Sequence, residues 1–317
     1  MATTFKSSDL AAMDRTVRAG FAEAFTAKAG YIPWSTRIGS MEPSSSGSNL
    51  YYYGVDSGNF REWTEGERHV NSVGVGSMTV TNVKRELTYG IKREMLDDDL
   101  TGAVRNVVSK VRSAAGKLLR LPDRLAAALL SNNTATSLSG SVLFADAHAI
   151  PGTTRTFDNN FSSTPLTRDN AIAARATMLT IRGSDGDVIN TDPRYLIVPP
   201  ELEDTAIEIA YGNLKLRAGT GAAAVAVAAL ENSAKGLFEV ICAPQLSQYS
   251  TTTWYLADAS DPYDRGLIWQ VREEAELVAL FSPDDAEVFM RDEYLWGLRE
   301  RSVMAAGNPV RIARGTA

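Results

Sequence analysis

Cysteine occurs once in this chain and histidine twice, and both shortages exclude chemistry. The lone Cys242, inside the apolar run "FEVICAP", has no second thiol to pair with. It reads as a small buried hydrophobe on a strand in a reducing compartment. A catalytic thiol or a Ser-His-Asp site needs a histidine within reach, and only His69 and His148 are on offer. Basic residues are in deficit too: 32 Lys and Arg against 38 Asp and Glu give a formal net charge of -6. Tight binding through nucleic-acid phosphates wants the opposite balance or a dense basic stripe. No apolar run approaches a membrane span, and "MATTFKSSDLAAMDR" lacks the basic start and apolar core of a secretory signal. The expectation is a soluble, cytoplasmic protein with no membrane partner.

What is present is ordinary for a folded protein, 44% apolar and 22% charged, with length for one large domain or two moderate ones. In residues 8 to 27, Leu10, Met13, Val17, Phe21 and Phe25 recur three or four apart, which predicts an amphipathic helix. The following "GYIPWSTRIGSMEPSSSGSN" has no period and reads as an extended arm. Helix and arm together have little nearby to bury against, so another domain or subunit is expected to receive them. From 70 to 92 the period becomes two, with Val73, Val75, Met78, Val80 and Val83 alternating with small polar residues. That predicts a thin two-stranded ribbon, marginal unless it lies on something.

Asp97, Asp98 and Asp99 then open a long helical pattern carrying Leu100, Val104, Val107, Val111, Ala114 and Leu118. Three aspartates there are either hard-cation ligands or helix-start chemistry; no second acidic cluster with ligand spacing follows, which favours the second. Pro122 fits the first turn of a second helix. Asp146 and His148, two apart, would share a strand face, yet without a third ligand a local hydrogen bond in a loop is the better reading. A helix capped near Thr167 or Asp169, a turn at "SDGD", and a strand at 195 to 198 halted by Pro199 and Pro200 follow in order. "AGTGA" lacks the Lys and Ser/Thr of a phosphate loop and reads as a surface loop. The last third reads as strands, with alternation sustained from Val288 to Val303. The sum is an α+β chain whose ends and hairpin project from the body.

One stretch invites an active-site reading: "NFREWTEGERHV", residues 59 to 70, gathers Arg61, Glu62, Glu65, Glu67 and Arg68 around Trp63. No nucleophile with its base, metal set, dinucleotide fingerprint or spaced carboxylate pair accompanies it elsewhere. No catalytic residue, metal ligand or cofactor is therefore nominated, and the blandness points to a structural protein. A metal-dependent hydrolase using Asp97 to Asp99 with His148 is the alternative from a different class.

Five blocks in consistent order resemble the major head subunit of Mu-like phages, the gpT family. They are "YYYGVDSGNFREWTEGERHV", "RELTYGIKREMLDDDLTG", "GSVLFADAHA", "YLIVPPELEDTA", and "LIWQVREEAELVAL" with "AEVFMRDEYLWGLRERSVMAAG". Ala149 stands where the family often has Pro, "MAAGN" replaces a "GYG", and 212 to 235 match nothing in it. The resemblance implies the tailed-phage major capsid fold of the Hong Kong 97 type. By position it implies an N-terminal arm (1–50), an E-loop (51–95), a peripheral domain with a spine helix (96–165), an axial domain (166–265) and returning peripheral strands (266–317). It further implies a non-enzymatic subunit forming hexamers and pentamers of an icosahedral head around double-stranded DNA, located in the virion and assembled in the host bacterial cytoplasm. Portal, scaffold and decoration proteins are its implied partners, and the packaged DNA is enclosed without tight binding. Arg61, Glu62, Glu65, Glu67 and Arg68 then become inter-subunit ion pairs, with Trp63 as packing anchor. A gene-transfer particle or a bacterial nanocompartment would share the fold.

Overall fold

The computed structural model describes residues 7–27, 30–53, 62–63, 66–67, 76–98, 100–150, 153–217, 228–282 and 285–317. The chain begins with helix α1 (Ser7–Ala27), the short helix α2 (Trp34–Ile38) and strand β1 (Gly39–Pro43). Strands β2 (Ser48–Tyr53), β3 (Gly76–Thr81) and β4 (Val83–Lys92) precede helices α3 (Arg93–Asp98), α4 (Leu100–Leu119) and α5 (Leu121–Asn132). Three two-residue strands, β5 (His148–Ala149), β6 (Thr156–Phe157) and β7 (Asn160–Phe161), lead to helix α6 (Arg168–Leu179) and strand β8 (Pro193–Val198). Next come helix α7 (Glu203–Tyr211) and strands β9 (Leu214–Arg217), β10 (Ala228–Glu231), β11 (Glu239–Cys242) and β12 (Trp254–Asp258). The chain closes with β13 (Leu267–Leu280), helix α8 (Ala286–Arg291), β14 (Glu293–Ala306) and β15 (Ile312–Gly315).

Two fourteen-residue strands, β13 and β14, pair antiparallel as the frame of a four-stranded sheet ordered β1-β13-β14-β4. Along β14 the alternation is strict: Tyr294, Trp296 and Leu298 point to one face and are buried. That face meets α1 and α4 in a core of Leu10, Met13, Val17, Val107, Val111, Ala114, Trp296 and Leu298. Twenty residues make α4 about 30 Å long, so it supports about two thirds of the span of the fourteen-residue strands beneath it. Each large apolar side chain buried this way contributes roughly 1.5–3 kcal/mol.

The second sheet, ordered β11-β8-β12-β15-β7, is covered on both faces. Ile197, Tyr255 and Ala257 turn to α2, α5 and the near end of the long sheet. Leu196, Val198, Trp254 and Leu256 turn to α6 and α7. Double coverage is why β8 and β12 read as continuous apolar runs rather than alternating ones.

Several expectations shift. The segment after α1 is packed rather than extended: Trp34 and Ile38 enter the central core, and β1 adds parallel to β13 from Gly39↔Leu267 to Pro43↔Val271. Of the two receivers expected for α1, the structure shows one within the chain: Leu10, Met13 and Val17 pack on α4, while Phe25 at the far end of the stripe stays 40% exposed. The ribbon pairs β3 with the tyrosine-rich β2, Ser48↔Thr81 to Tyr53↔Gly76. Strand β4 departs after the single residue Asn82 to join the long sheet beside β14. Val73 and Val75 lie outside the described residues. Val288 belongs to the helical turn α8 rather than a strand, since Val288 is needed in the core under the hairpin end. Asp97 and Asp98 end α3 instead of opening α4, and Asp99 lies outside the described residues. The strands β9 and β10 flanking the glycine-rich run pair as a hairpin, and 218–227 also fall outside. Thr167 caps α6 by accepting from Asn170 N–H at 3.2 Å.

Candidate assembly surface

The ribbon β2–β3 sits on the body through one face only. Tyr51, Met78 and Val80 turn inward onto Ile268, Ala305 and Val310, while Leu50 and Tyr52 are exposed on the other face. Polar contacts fix its base. Asn82 N–H donates to Gly47 C=O at 3.0 Å, and the Asn82 amide donates to Ser44 Oγ at 2.9 Å and Ser46 C=O at 3.0 Å. Gln270, fully buried on β13, donates to Asn82 Oδ1 at 2.8 Å and accepts from the Tyr51 hydroxyl at 2.8 Å. None of these six residues stood out in the sequence. The one available signal was a glutamine inside the apolar run "LIWQV", whose amide had to find partners once buried.

Beyond the ribbon, Glu62, Trp63, Gly66 and Glu67 are described and all four are exposed. Arg61, Glu65 and Arg68 lie outside the described residues. Trp63 is 63% exposed, yet its indole N–H donates to Gly66 C=O at 3.1 Å. Gly66 has φ +107, a conformation that a side chain disfavours, and its carbonyl holds the edge of the indole while the ring stays exposed. Phe289 and Met290 on α8 form a further exposed apolar pair, at 82% and 76%.

The residues screened for chemistry are engaged in local structure. His148 is buried and stacked on Phe157 at 5.0 Å. Its Nε2 faces two acceptors, Leu143 C=O (3.2 Å) and Asn159 Oδ1 (3.1 Å), so Nε2 carries the proton and Nδ1 accepts from the Ser139 hydroxyl (3.1 Å). Burial lowers its pKa and keeps the ring neutral. Asp146 instead accepts from Asn160 Nδ2 at 2.9 Å, so the two are not an acid–base pair. His69 lies outside the described residues. The Cys242 thiol is pushed up to about 11, chiefly by burial and then by Glu203 and Glu201. Among the described residues no group of three His, Cys, Asp or Glu side chains could hold a metal ion. Among them, too, no helix is long and apolar enough to cross a membrane.

Two buried charges that sequence reading missed serve the body. Asp258, with no exposure, pairs with Arg311 at 2.6 Å, and Arg311 also reaches Asp264 at 2.9 Å. Burial alone would raise the Asp258 pKa, but hydrogen bonds from Ser260 and Arg311 bring it below the usual value. Asp123, equally buried, accepts from Ser35 and Tyr31, and burial leaves its pKa raised.

A family model described as "Phage capsid protein" matches residues 77–315. No curated protein matches the sequence. Among solved structures, the procapsid of bacteriophage JBD30 superposes with a TM-score of 0.52 at 19% identity, covering 99% of this chain and 76% of that one. The capsid of the cyanophage P-SCSP1u gives 0.52 at 10% identity, covering 91% of each chain. The capsid of an empty GTA particle gives 0.51 at 11% identity, over 90% of this chain and 91% of that one.

Proposed function

The chain belongs to the phage capsid protein family, and from that membership we propose that it is the major capsid protein of a tailed phage. Its mixed helix-and-sheet fold is the Hong Kong 97-type capsid fold. Copies associate into the icosahedral shell of the head, and the protein resides in the virion. The single observation behind this is the family match across 77–315, which takes in the five-stranded sheet, strands β4, β13 and β14 of the four-stranded one, and α4.

The finer reading is ours. Activity here is association rather than catalysis: many weak, repeated contacts hold the lattice by avidity. The N-terminal arm, E-loop, peripheral, axial and returning segments divide at about 50, 95, 165 and 265 by their likeness to the family. The ribbon with its Trp63 turn reaches a neighbouring copy, where Arg61, Glu62, Glu65, Glu67 and Arg68 form ion pairs around the indole. Double-stranded DNA is enclosed, and the net charge of -6 limits its adhesion to the wall. Portal, scaffold and decoration proteins complete the particle.

Negative-stain microscopy of the purified protein tests this. Hollow particles or capsomers are expected. A monodisperse monomer at every concentration, binding divalent metal at Asp97 to Asp99, would overturn it. Nuclease-protected DNA inside particles from infected cells separates a phage head from a protein-loaded compartment.

A further inference from the structure

Among the described residues, Gln270 is the one side chain that hydrogen-bonds to both strands of the ribbon. Its Oε1 accepts from Tyr51 on β2 at 2.8 Å. Its Nε2 donates to Val80 C=O on β3 at 3.4 Å and to Asn82 Oδ1, just past β3, at 2.8 Å. Both ends of the amide are used, and the residue has no exposure. Its backbone is held equally firmly, because β13 at Gln270 pairs with Glu42 of β1 on one side and Val303 of β14 on the other. The grip therefore originates inside a four-stranded sheet and acts on a two-stranded element that has little core of its own.

The apolar seat of the ribbon cannot set an angle by itself. Contacts of Tyr51, Met78 and Val80 with the body are non-directional, and the ribbon could rock on them with little loss. Hydrogen bonds from one rigid amide to two strands are directional. Asn82 extends the restraint, since its own amide closes the turn at Ser44, Ser46 and Gly47 that leads into β2. We propose that Gln270 is the positioning residue that sets the direction in which the ribbon is presented to a neighbouring copy. The assembly consequence rests on the shell reading above; the restraint itself does not.

The charged and titratable groups around this network are few. Tyr51 has its pKa raised, chiefly by burial, and Glu42 lies near enough to raise it further. Arg272, two positions on along β13, donates to Ser44 C=O at 3.4 Å. Replacing Gln270 by Glu keeps the shape and adds a titratable switch. A protonated Glu can still donate once and accept from Tyr51. An ionised one confronts Asn82 Oδ1 and Val80 C=O with a third acceptor.

Amide hydrogen exchange on the unassembled subunit reads the restraint directly. In Q270M, protection at Asn49 to Tyr52 and Met78 to Asn82 is expected to fall by roughly tenfold or more, with β13 and β14 unchanged. Q270E should lose the same protection at neutral pH and regain it on acidification. Y51F should loosen β2 more than β3, and serves if Q270M fails to fold. Unchanged ribbon protection, or loss spread equally over β13 and β14, would overturn the assignment. Wild-type particle formation, scored separately, tests the shell reading alone; ribbon loosening with wild-type particles absent would leave Gln270 standing and that reading fallen.

Discussion

Asp123, in the first turn of α5, accepts hydrogen bonds from both the backbone N–H of Ser35 (3.0 Å) and its hydroxyl (2.8 Å). Ser35 is the second residue of the five-residue helix α2, so the carboxylate occupies that helix's positive end. At the other end Arg265 Nη1 donates to the carbonyls of Thr36, Arg37 and Gly39 at 3.0–3.3 Å. A helix too short to persist alone is thus held between two opposite charges from distant parts of the chain.

This arrangement predicts different outcomes for two substitutions. D123A strands the buried Ser35 donors and the Tyr31 hydroxyl, and should cost about 1–3 kcal/mol. D123N still accepts from Ser35 and can donate to Tyr31, so its cost should stay below about 1 kcal/mol. The sign of the pH effect follows from burial: the folded pKa of Asp123 lies above 3.8, despite hydrogen bonds from Tyr31 and Ser35 and the Arg120 charge pulling it down. The folded state therefore takes up a proton more readily than the unfolded one. Its stability from this group should rise as pH falls through the raised value towards 3.8. Denaturant midpoints against pH should show that rise in the wild type and lack it in D123N.

Arg311 and Asp258 predict the opposite acid limb. Asp258 sits below its ordinary pKa of 3.8 in the fold, so its contribution is complete above 3.8 and disappears as pH falls through the lowered value. R311M leaves a fully buried carboxylate unpaired, a loss of about 3–5 kcal/mol. The double variant R311M/D258N should recover part of it, as measured by urea denaturation.

Helices and strands with unbroken periodicity were legible from the sequence, and α1, α4, α6 and β8 appear close to their expected places. Their pattern is local, and burial of one face enforces it. What escaped depended on distant partners. Nothing in "PWSTRIG" announces that Asp123 and Arg265 would hold it helical, and nothing in "NLYYY" that it would pair with β3. The sequence marked the charged cluster around Trp63 as a candidate, but it gave no sign of what supports the ribbon beside it. Gln270, Asn82 and Ser44 meet only once three separate segments have come together.

Glycine at 315 has a packing reason that can be tested. A Cβ there would lie 2.2 Å from Cε2 of Trp254, which is fully buried and whose indole N–H donates to Thr164 C=O at 2.9 Å. G315A should destabilise by about 1–3 kcal/mol through displacement of that ring. G30A, where an added Cβ meets nothing within 4 Å, is the control and should unfold as the wild type does.

Cys242 should behave as packing material. With its thiol pushed up to about 11, only roughly one molecule in ten thousand carries the thiolate at neutral pH. Iodoacetamide should label the native protein at least about a hundredfold more slowly than the urea-unfolded chain. Equal rates would mean that burial and the Glu203 and Glu201 charges do not govern this site.

Trp63 separates an anchoring role from a folding one. The ring is largely exposed and adds little to the monomer's core, so W63A should leave subunit stability within about 0.5 kcal/mol. If it packs against a neighbour, its loss removes the same contact from every copy, and a deficit of about 2 kcal/mol per contact multiplies across the lattice. Particle yield in W63A/R68A should then collapse, or particles should disassemble in mild denaturant that spares the wild type. W63F refines the reading: it keeps an aromatic ring but loses the indole N–H that donates to Gly66 C=O. Heads of normal number and resistance in W63A/R68A would remove Trp63 from the contact surface and leave it a solvated turn residue.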